Sequence, residues 1–275
     1  MLFIYTDKKK KIHRAAYGTN ENQFGDLRIP EGSGPFPVAI IIHGGFWRAA
    51  FDLEQMNQLA DALTNHGVAA WNVEYRRVGQ EGGGWPGTFL DIAKAADHLR
   101  VLAKSYPLDM TRVIAVGHSA GGHLASWLAA RHKLPADSEL YTSDHPLPLK
   151  GVISLAGVCD LELMHDIHQM KETLYGIVDN PTRDFIGGKP EEQKRRYQDG
   201  SPRELLPIGV PHVLIHGTLD VNVPVGLSEH FERAAAQSGD SVTLKTIPTA
   251  EHFKLILPDM EAWPVLLEAV DTLLK

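Results

Sequence analysis

Short runs of β-branched and other apolar residues alternate along this chain with segments that have the apolar spacing of buried helices. Six such runs predict strands, at residues 38–42, 68–75, 113–116, 151–155, 212–216 and 242–247. Continuous apolar strands separated by helices are typical of a mostly parallel sheet that has helices on both faces. With 275 residues, the chain is long enough to form one large domain of this α/β class, and we assign residues 1–275 to it.

The segments between the strands carry the helix signals. Met56, Leu59, Ala60 and Leu63 have the i, i+3, i+4, i+7 spacing of a buried helical stripe. Further helices are predicted at about 88–105, from residue 120 to about 131, at 228–237 and at 263–274. Residues 158–208 interrupt the alternation with polar, proline-containing and short helical patterns, and an insertion of this kind is predicted to form a cap or lid over a site.

Charge and composition exclude several kinds of partner. The formal net charge is −7, whereas nucleic-acid binding requires clustered Lys and Arg. The one basic run, 8–11, is predicted to be a solvated tail. The apolar residues at 1–5 precede these lysines, which is the wrong order for a signal peptide, and they are too few to span a membrane. Because Cys159 is the single cysteine, no internal disulfide can form, and we expect a cytoplasmic protein. The oligomeric state is left open, a homodimer being one option.

A nucleophile motif lies between the third predicted strand and the following helix. Residues 117–121 have the sequence GHSAG, which fits the G-x-S-x-G pattern of a nucleophile elbow. A sharp strand-to-helix turn exposes the serine hydroxyl, and the flanking glycines remove side chains that would collide there. Ser119 is therefore the predicted nucleophile. His118 is rejected as its base, because neighbours on an elbow point in different directions.

A second motif, HGGFW at residues 43–47, directly follows the first predicted strand. Glycines allow the backbone to approach a scissile carbonyl closely, and an oxyanion hole needs two or three converging amides. We expect the amides of Gly45, Phe46 and Ala120 to form it. The side chains of Trp47 and Trp85, together with the 158–208 insertion, are candidates for the substrate pocket.

The acid and the base are expected late in the chain, in the order Ser, Asp, His. Asp220 follows the predicted strand 212–216, and His252 follows the strand 242–247, so both belong to loops at the carboxyl edge of the sheet. Asp160, after the strand 151–155, is an alternative acid, and Glu251 is a less favoured one.

The many histidines raise the question of a metal site. His165 and His168 are three residues apart on a possible helix, but the surface face of a polar cap explains them equally well and the sequence supplies no convincing third ligand. No metal and no cofactor are predicted.

These motifs resemble the α/β-hydrolase superfamily over nearly the whole chain. The segments 43–47, 117–125, 216–220 and 223–224 look like the esterase/lipase branch that holds kynurenine formamidases and the feruloyl and acetyl xylan esterase-like hydrolases. The part from 201 to 252 is also similar to the catalytic domain of prolyl oligopeptidase-type peptidases.

That resemblance implies a triad of Ser119, Asp220 and His252 that hydrolyses a small carboxylic ester through an acyl-enzyme. A small acyl compound is then the only partner expected. The segment 74–87 departs from true formamidases and resembles uncharacterised bacterial hydrolases, so aryl formamidase activity is an alternative. A small peptidase or amidase, and a non-catalytic binding protein with the same fold, are the remaining alternatives.

Overall fold

A single eight-stranded sheet organises the molecule. The structure is a computed structural model that describes residues 12–275, so the basic run 8–11 lies outside the described residues. The strands stand in the order β1-β2-β4-β3-β5-β6-β7-β8. Their bounds are β1 Ile12–Ala16, β2 Phe24–Arg28, β3 Phe36–Ile42, β4 Ala69–Val73, β5 Leu108–His118, β6 Gly151–Leu155, β7 His212–Gly217 and β8 Val242–Ile247.

The sheet is parallel from β4 to β8 and antiparallel at the other edge. β4, β3, β5, β6, β7 and β8 pair in parallel, which confirms the predicted mostly parallel sheet. β1 pairs antiparallel with β2, and β2 pairs antiparallel with β4. β1 and β2 were not predicted from the sequence, because they are short and carry polar and charged residues.

Helices cover both faces of the sheet. Their bounds are α1 Asn57–Asn65, α2 Gly87–Leu102, α3 Ala120–Ala130, α4 Leu161–Tyr175, α5 Pro181–Ile186, α6 Lys194–Gly200, α7 Gly226–Gln237 and α8 Ala262–Leu273. The predicted stripe of Met56, Leu59, Ala60 and Leu63 is fully buried, in a core that α1 shares with α8 on one face. α2, α3, α4 and α7 contribute to the core on the opposite face. None of the described helices is long and apolar enough to cross a membrane.

The parallel strands direct the candidate functional residues to one edge of the sheet. β3 ends just before the HGGFW segment, β5 ends at His118, and β7 ends just before Asp220. Because parallel strands all end at the same edge, loops that are far apart in sequence meet there. This edge is the place to look for a site.

The predicted insertion, residues 158–208, connects β6 to β7. It contains α4, α5, α6 and a 3₁₀ helix at Pro202–Leu205. α4 is preceded by its N-cap Asp160, whose carboxylate accepts the Leu163 amide at 3.0 Å, and is followed by Gly176 in the left-handed conformation. α5 has Pro181 in its first turn, where the missing N–H costs no helical hydrogen bond.

Candidate active site

Ser119 occupies a strained turn between β5 and α3. Its φ of 56° and ψ of −120° lie in a region that non-glycine residues rarely adopt. A Cβ on Gly117 would lie 2.0 Å from the Gly121 carbonyl oxygen, and a Cβ on Gly121 would lie 2.0 Å from that of Ile42. Both positions of the GHSAG motif therefore require glycine for steric reasons, and the turn has the form of a nucleophile elbow.

Asp220 and His252 form a hydrogen-bonded pair at the same edge. Nδ1 of His252 lies 2.5 Å from Oδ2 of Asp220, and both residues are buried. With Nδ1 donating to the carboxylate, Nε2 is the nitrogen left to accept a proton. The structure thus joins an acid and a base that are 32 residues apart in sequence.

The Asp220 carboxylate is held in its ionised form. Burial opposes ionisation, but the side chains of His216 and His252 and the Val223 amide outweigh it, and the pKa of Asp220 lies well below its ordinary value. Oδ1 accepts the amides of Asn222 and Val223, each at 2.9 Å. The acid therefore carries a full negative charge at neutral pH and can stabilise an imidazolium beside it.

His118 connects the His252 loop to the elbow. Its Nε2 lies 3.1 Å from the carbonyl oxygen of His252, and the two rings are 4.4 Å apart. Burial and the charge of His252 lower the pKa of His118 to about 3, so this ring is neutral and donates to that carbonyl. His252 thereby lies against the residue that precedes Ser119. A hydrogen bond between the Ser119 hydroxyl and His252 is not among the contacts of the described residues.

The two alternative acids have other partners. The Asp160 carboxylate caps α4 and lies 3.3 Å from Nδ1 of His230. The Glu251 side chain accepts the Phe253 amide at 3.2 Å and so caps the 3₁₀ helix that begins at His252. Of the three candidates, Asp220 is the one whose carboxylate contacts the His252 imidazole.

The HGGFW segment has an unusual backbone. Gly45, Phe46 and Trp47 have consecutive φ angles of 100°, 50° and 57°. A positive φ is costly for bulky side chains and persists only when surrounding contacts hold it. A Cβ on Gly44 would lie 3.0 Å from the Cβ of Ser119, so this loop runs directly beside the elbow.

The loop leaves particular amides available. The Gly44 amide is already donated to Oε1 of Gln55 at 2.9 Å. Within the part of the chain that the structure describes, the amides of Gly45, Phe46 and Ala120 have no protein acceptor. Ala120 is also the first residue of α3, where the helix dipole favours negative charge. These three amides are the ones expected from the sequence to form an oxyanion hole.

The Trp47 side chain packs inside the protein and supports the HGGFW loop. Its indole N–H donates to Nδ1 of His123 at 3.2 Å, and its ring stacks on Phe185 at 4.4 Å. Nε2 of His123 lies 2.9 Å from the Gly200 carbonyl, while burial lowers the pKa of His123 to about 4. Trp47 was expected from the sequence to line a substrate pocket. Because it is 0% exposed, it fixes the loop instead and lines no accessible pocket.

Glu74 is a supporting residue that the sequence analysis did not assign. Its Oε1 lies 3.1 Å from Nε2 of His43, and its Oε2 accepts the Leu53 amide at 3.0 Å. The Tyr75 hydroxyl donates to the His43 carbonyl at 2.9 Å. These buried contacts hold the first residue of the HGGFW segment. The available signal was an acidic residue at the carboxyl end of the predicted strand 68–75, which is a common place for site residues in parallel sheets.

Trp85 lies in another part of the fold. Its ring packs against Phe89 and beneath the Arg196 guanidinium, and its indole N–H donates to Glu139 at 3.2 Å. These contacts join the segment before α2 to the 158–208 insertion. None of them involves the loop or the residues that surround Ser119.

His165 and His168 were expected to lie on the surface face of a polar cap. They are instead buried, with only 1% and 5% of their surface exposed. His165 Nδ1 lies 3.2 Å from Asp166, and His168 Nδ1 lies 3.2 Å from the Thr182 hydroxyl. Burial, followed by the charge of Lys171, lowers the pKa of His168 to about 4. Across residues 12–275 we find no group of three or more His, Cys, Asp or Glu side chains arranged to hold a metal ion.

The chain is similar in sequence to known hydrolases. Esterase EstD of Thermotoga maritima is 23% identical over 252 residues, which cover 86% of this chain and 56% of EstD. Kynurenine formamidase of Salmo salar is 23% identical over 252 residues, covering 87% of this chain and 74% of that protein. The chain spans between 51% and 61% of the length of most curated relatives that it matches.

Solved structures share the whole architecture. A truncated form of a carbohydrate esterase from gut microbiota matches with a TM-score of 0.81 and 19% identity over 98% of both chains. At that identity the likeness establishes the fold, which is the α/β-hydrolase fold. The family model described as BD-FAE matches residues 26–234. The chain therefore belongs to the BD-FAE family of α/β-hydrolase-fold proteins.

Proposed function

We propose that this protein is a serine hydrolase that cleaves a small carboxylic ester through an acyl-enzyme intermediate. The observation that carries the proposal is the 2.5 Å hydrogen bond between Asp220 and His252, at the edge of the sheet where Ser119 forms a nucleophile elbow. An ionised acid that orients an imidazole beside a strained serine is the arrangement that acyl transfer requires.

In the proposed mechanism, His252 takes the proton of the Ser119 hydroxyl as the oxygen attacks the ester carbonyl. The amides of Gly45, Phe46 and Ala120 stabilise the oxyanion, and each donor lowers the barrier by about 3 to 4 kcal/mol. His252 then returns the proton to the leaving alcohol. A water molecule activated by the same imidazole hydrolyses the acyl-enzyme. The Ser119–His252 hydrogen bond is expected to close in the substrate complex, since such bonds are often long in free enzymes.

The relatives support an ester substrate. EstD is named an esterase, and the gut-microbiota structure is titled a carbohydrate esterase. Since the chain corresponds to little more than half of EstD, the substrate of the whole relative is not transferred to it. What is transferred is the reaction type, which the site chemistry supports independently.

Two measurements test the proposal. The wild-type protein should react with a fluorophosphonate probe, and Ser119→Ala should not. Hydrolysis of p-nitrophenyl acetate should be detectable and should be lost in the same variant. A wild-type protein that neither labels nor hydrolyses this ester would contradict a catalytic role and favour a binding protein with the same fold.

Aryl formamidase activity is a second candidate. The HGGFW segment resembles that of formamidases, and the Salmo salar relative carries that name. The same three catalytic residues would cleave an aryl formamide, with His252 protonating an amine instead of an alcohol. Comparing kcat/KM for N-formylkynurenine, p-nitrophenyl acetate and a long-chain ester distinguishes these substrates. Equal values for both acyl lengths would exclude a confined acyl pocket.

The 158–208 insertion is proposed to act as a cap. His168 on α4 contacts the Phe46 ring at 5.3 Å, and Phe185 on α5 stacks on Trp47. These contacts support a role for the insertion in shaping the site above the oxyanion loop. A cytoplasmic location is also proposed, supported by the single cysteine, Cys159, which is a buried free thiol.

A further inference from the structure

A cavity adjoins the oxyanion loop on the side of the insertion. It has a volume of about 250 Å³ and is lined by Phe46, by Val221 and Asn222 beyond the triad acid, and by Lys171, Tyr175 and Ile177. The cavity therefore borders the segments that carry the proposed oxyanion hole and the proposed triad acid. A larger cavity of about 390 Å³, between α4 and α6, contains no residue of the triad or the oxyanion loop.

Most other ionic groups around this cavity have a partner of opposite charge within the protein. Arg48 contacts Asp179 at 2.5 Å and Asp184 at 3.1 Å. The Glu172 carboxylate accepts hydrogen bonds from both terminal guanidinium nitrogens of Arg183, at 3.1 and 3.2 Å. An ionic group that is already paired in this way has little free energy to gain from a ligand of opposite charge.

Lys171 is different from these paired groups. It lines the cavity and is partly buried, yet no carboxylate of residues 12–275 forms an ion pair with it. His168, which lines the same cavity, remains neutral above a pKa of about 4. Lys171 therefore supplies to this partly apolar cavity, beside the proposed oxyanion hole, a cation that no carboxylate of the described residues pairs with. A partly desolvated cation without a partner favours an anionic ligand.

We infer that the cavity binds a carboxylate carried by the substrate, with Lys171 as the residue that selects it. The proposed substrate class is thus an anionic ester, in which the carboxylate belongs to the acyl group or to the leaving group. This inference rests on the proposed hydrolase function and adds a substrate preference to it. Phe46, Tyr175 and Ile177 would contact the apolar part that links the carboxylate to the scissile carbonyl.

Matched pairs of substrates test the preference. Monoethyl succinate and ethyl butyrate differ in charge on the acyl side, whereas 3-acetoxybenzoate and phenyl acetate differ on the leaving-group side. We expect Lys171→Gln to lower the ratio of kcat/KM for the anionic member to that for the neutral member about tenfold in one pair, and Lys171→Glu to lower it further. Lys171→Arg should retain most of the preference. Rising salt should weaken the preference in the wild-type protein but not in Lys171→Gln.

Lys245→Gln provides the matched control, because it changes the net charge by the same amount and because Lys245 is exposed on the edge strand β8. It should leave both ratios unchanged. Ratios that stay the same in Lys171→Gln for both pairs, or that fall equally in Lys245→Gln, would overturn the inference.

Binding separates this inference from the proposed function. Calorimetric titration of benzoate into Ser119→Ala should give at least tenfold weaker binding when Lys171→Gln is added. If the wild-type protein does not hydrolyse esters but benzoate binding depends on Lys171, only the hydrolase proposal is contradicted. Hydrolysis of neutral esters together with Lys171-independent benzoate binding would contradict only the carboxylate site.

Discussion

Trp47 donates its indole N–H to Nδ1 of His123, and this 3.2 Å bond ties the proposed oxyanion loop to the helix that follows Ser119. The other ring nitrogen of His123 lies 2.9 Å from the carbonyl of Gly200, in the 158–208 insertion. One neutral imidazole thus joins three segments that are separate in sequence. It holds the positive-φ backbone of the HGGFW segment in place, so that the amides of the proposed oxyanion hole keep one direction.

Replacing this imidazole should affect both stability and turnover. His123→Phe removes the acceptor of the Trp47 indole and the donor to Gly200, and leaves two buried polar groups without partners. We expect the free energy of unfolding to fall by about 2 to 4 kcal/mol and kcat to fall about tenfold or more. Urea titration and ester hydrolysis measure the two effects. His132→Phe, at a more exposed histidine outside the site, is the control and should change neither by a comparable amount.

Buried neutral histidines should make the protein sensitive to mild acid. The pKa values of His118, His123 and His168 are lowered to about 3, 4 and 4, in each case chiefly by burial. In the unfolded chain the histidine pKa is about 6.5. From about pH 6.5 down to 4, the unfolded chain therefore binds protons that the folded chain does not, and stability decreases as the pH falls.

The part of that slope that comes from His123 can be measured separately. Each such histidine contributes about 1.4 kcal/mol per pH unit to the fall in the free energy of unfolding below pH 6. Urea titrations at several pH values should give a shallower slope for His123→Phe than for the wild-type protein. Identical slopes in the two proteins would show that His123 is not neutral in the folded state.

Asp220 should be distinguishable from Asp160 by mutation. Asp220→Asn keeps the shape but removes the charge that orients and stabilises the His252 imidazolium, so kcat should fall by about three to four orders of magnitude. Asp160→Asn should retain most activity and lose at most about 1 kcal/mol of stability, because its carboxylate caps α4. Steady-state kinetics with a neutral ester measure both variants. A larger loss in Asp160→Asn than in Asp220→Asn would reverse the assignment of the acid.

The glycines of the elbow should be sterically irreplaceable. Gly117→Ala would place a Cβ 2.0 Å from the Gly121 carbonyl oxygen, and backbone on both sides prevents relaxation. We expect a loss of more than about 3 kcal/mol, or failure to fold. Gly226→Ala is the matched control, since nothing lies within 4 Å of its Cβ position, at the start of α7. It should be neutral or stabilising by up to about 1 kcal/mol in thermal unfolding.

The regular part of the fold and the members of the candidate site could be predicted from local patterns. The strand 151–155 and the strand 242–247 have the predicted bounds, because their apolar runs end at turn residues. β1 and β2 were missed because short strands with polar residues have no such pattern. The burial of His165 and His168 was also missed. For His168 the reason is that its partner, the Thr182 hydroxyl, belongs to another helix, which no local pattern reveals.

By itself, the amino-acid sequence determined the alternation of the strands β3 to β8 with helices along the chain and the need for glycine around Ser119, because both follow from side-chain size and spacing within a few residues. Only the tertiary structure decided that the carboxylate of Asp220, rather than that of Asp160 or Glu251, contacts His252, and that Trp47 is a buried support. Those outcomes depend on which loops meet at the carboxyl edge of the sheet. Contacts between residues far apart in the chain arise from strand order and packing, which no local pattern encodes.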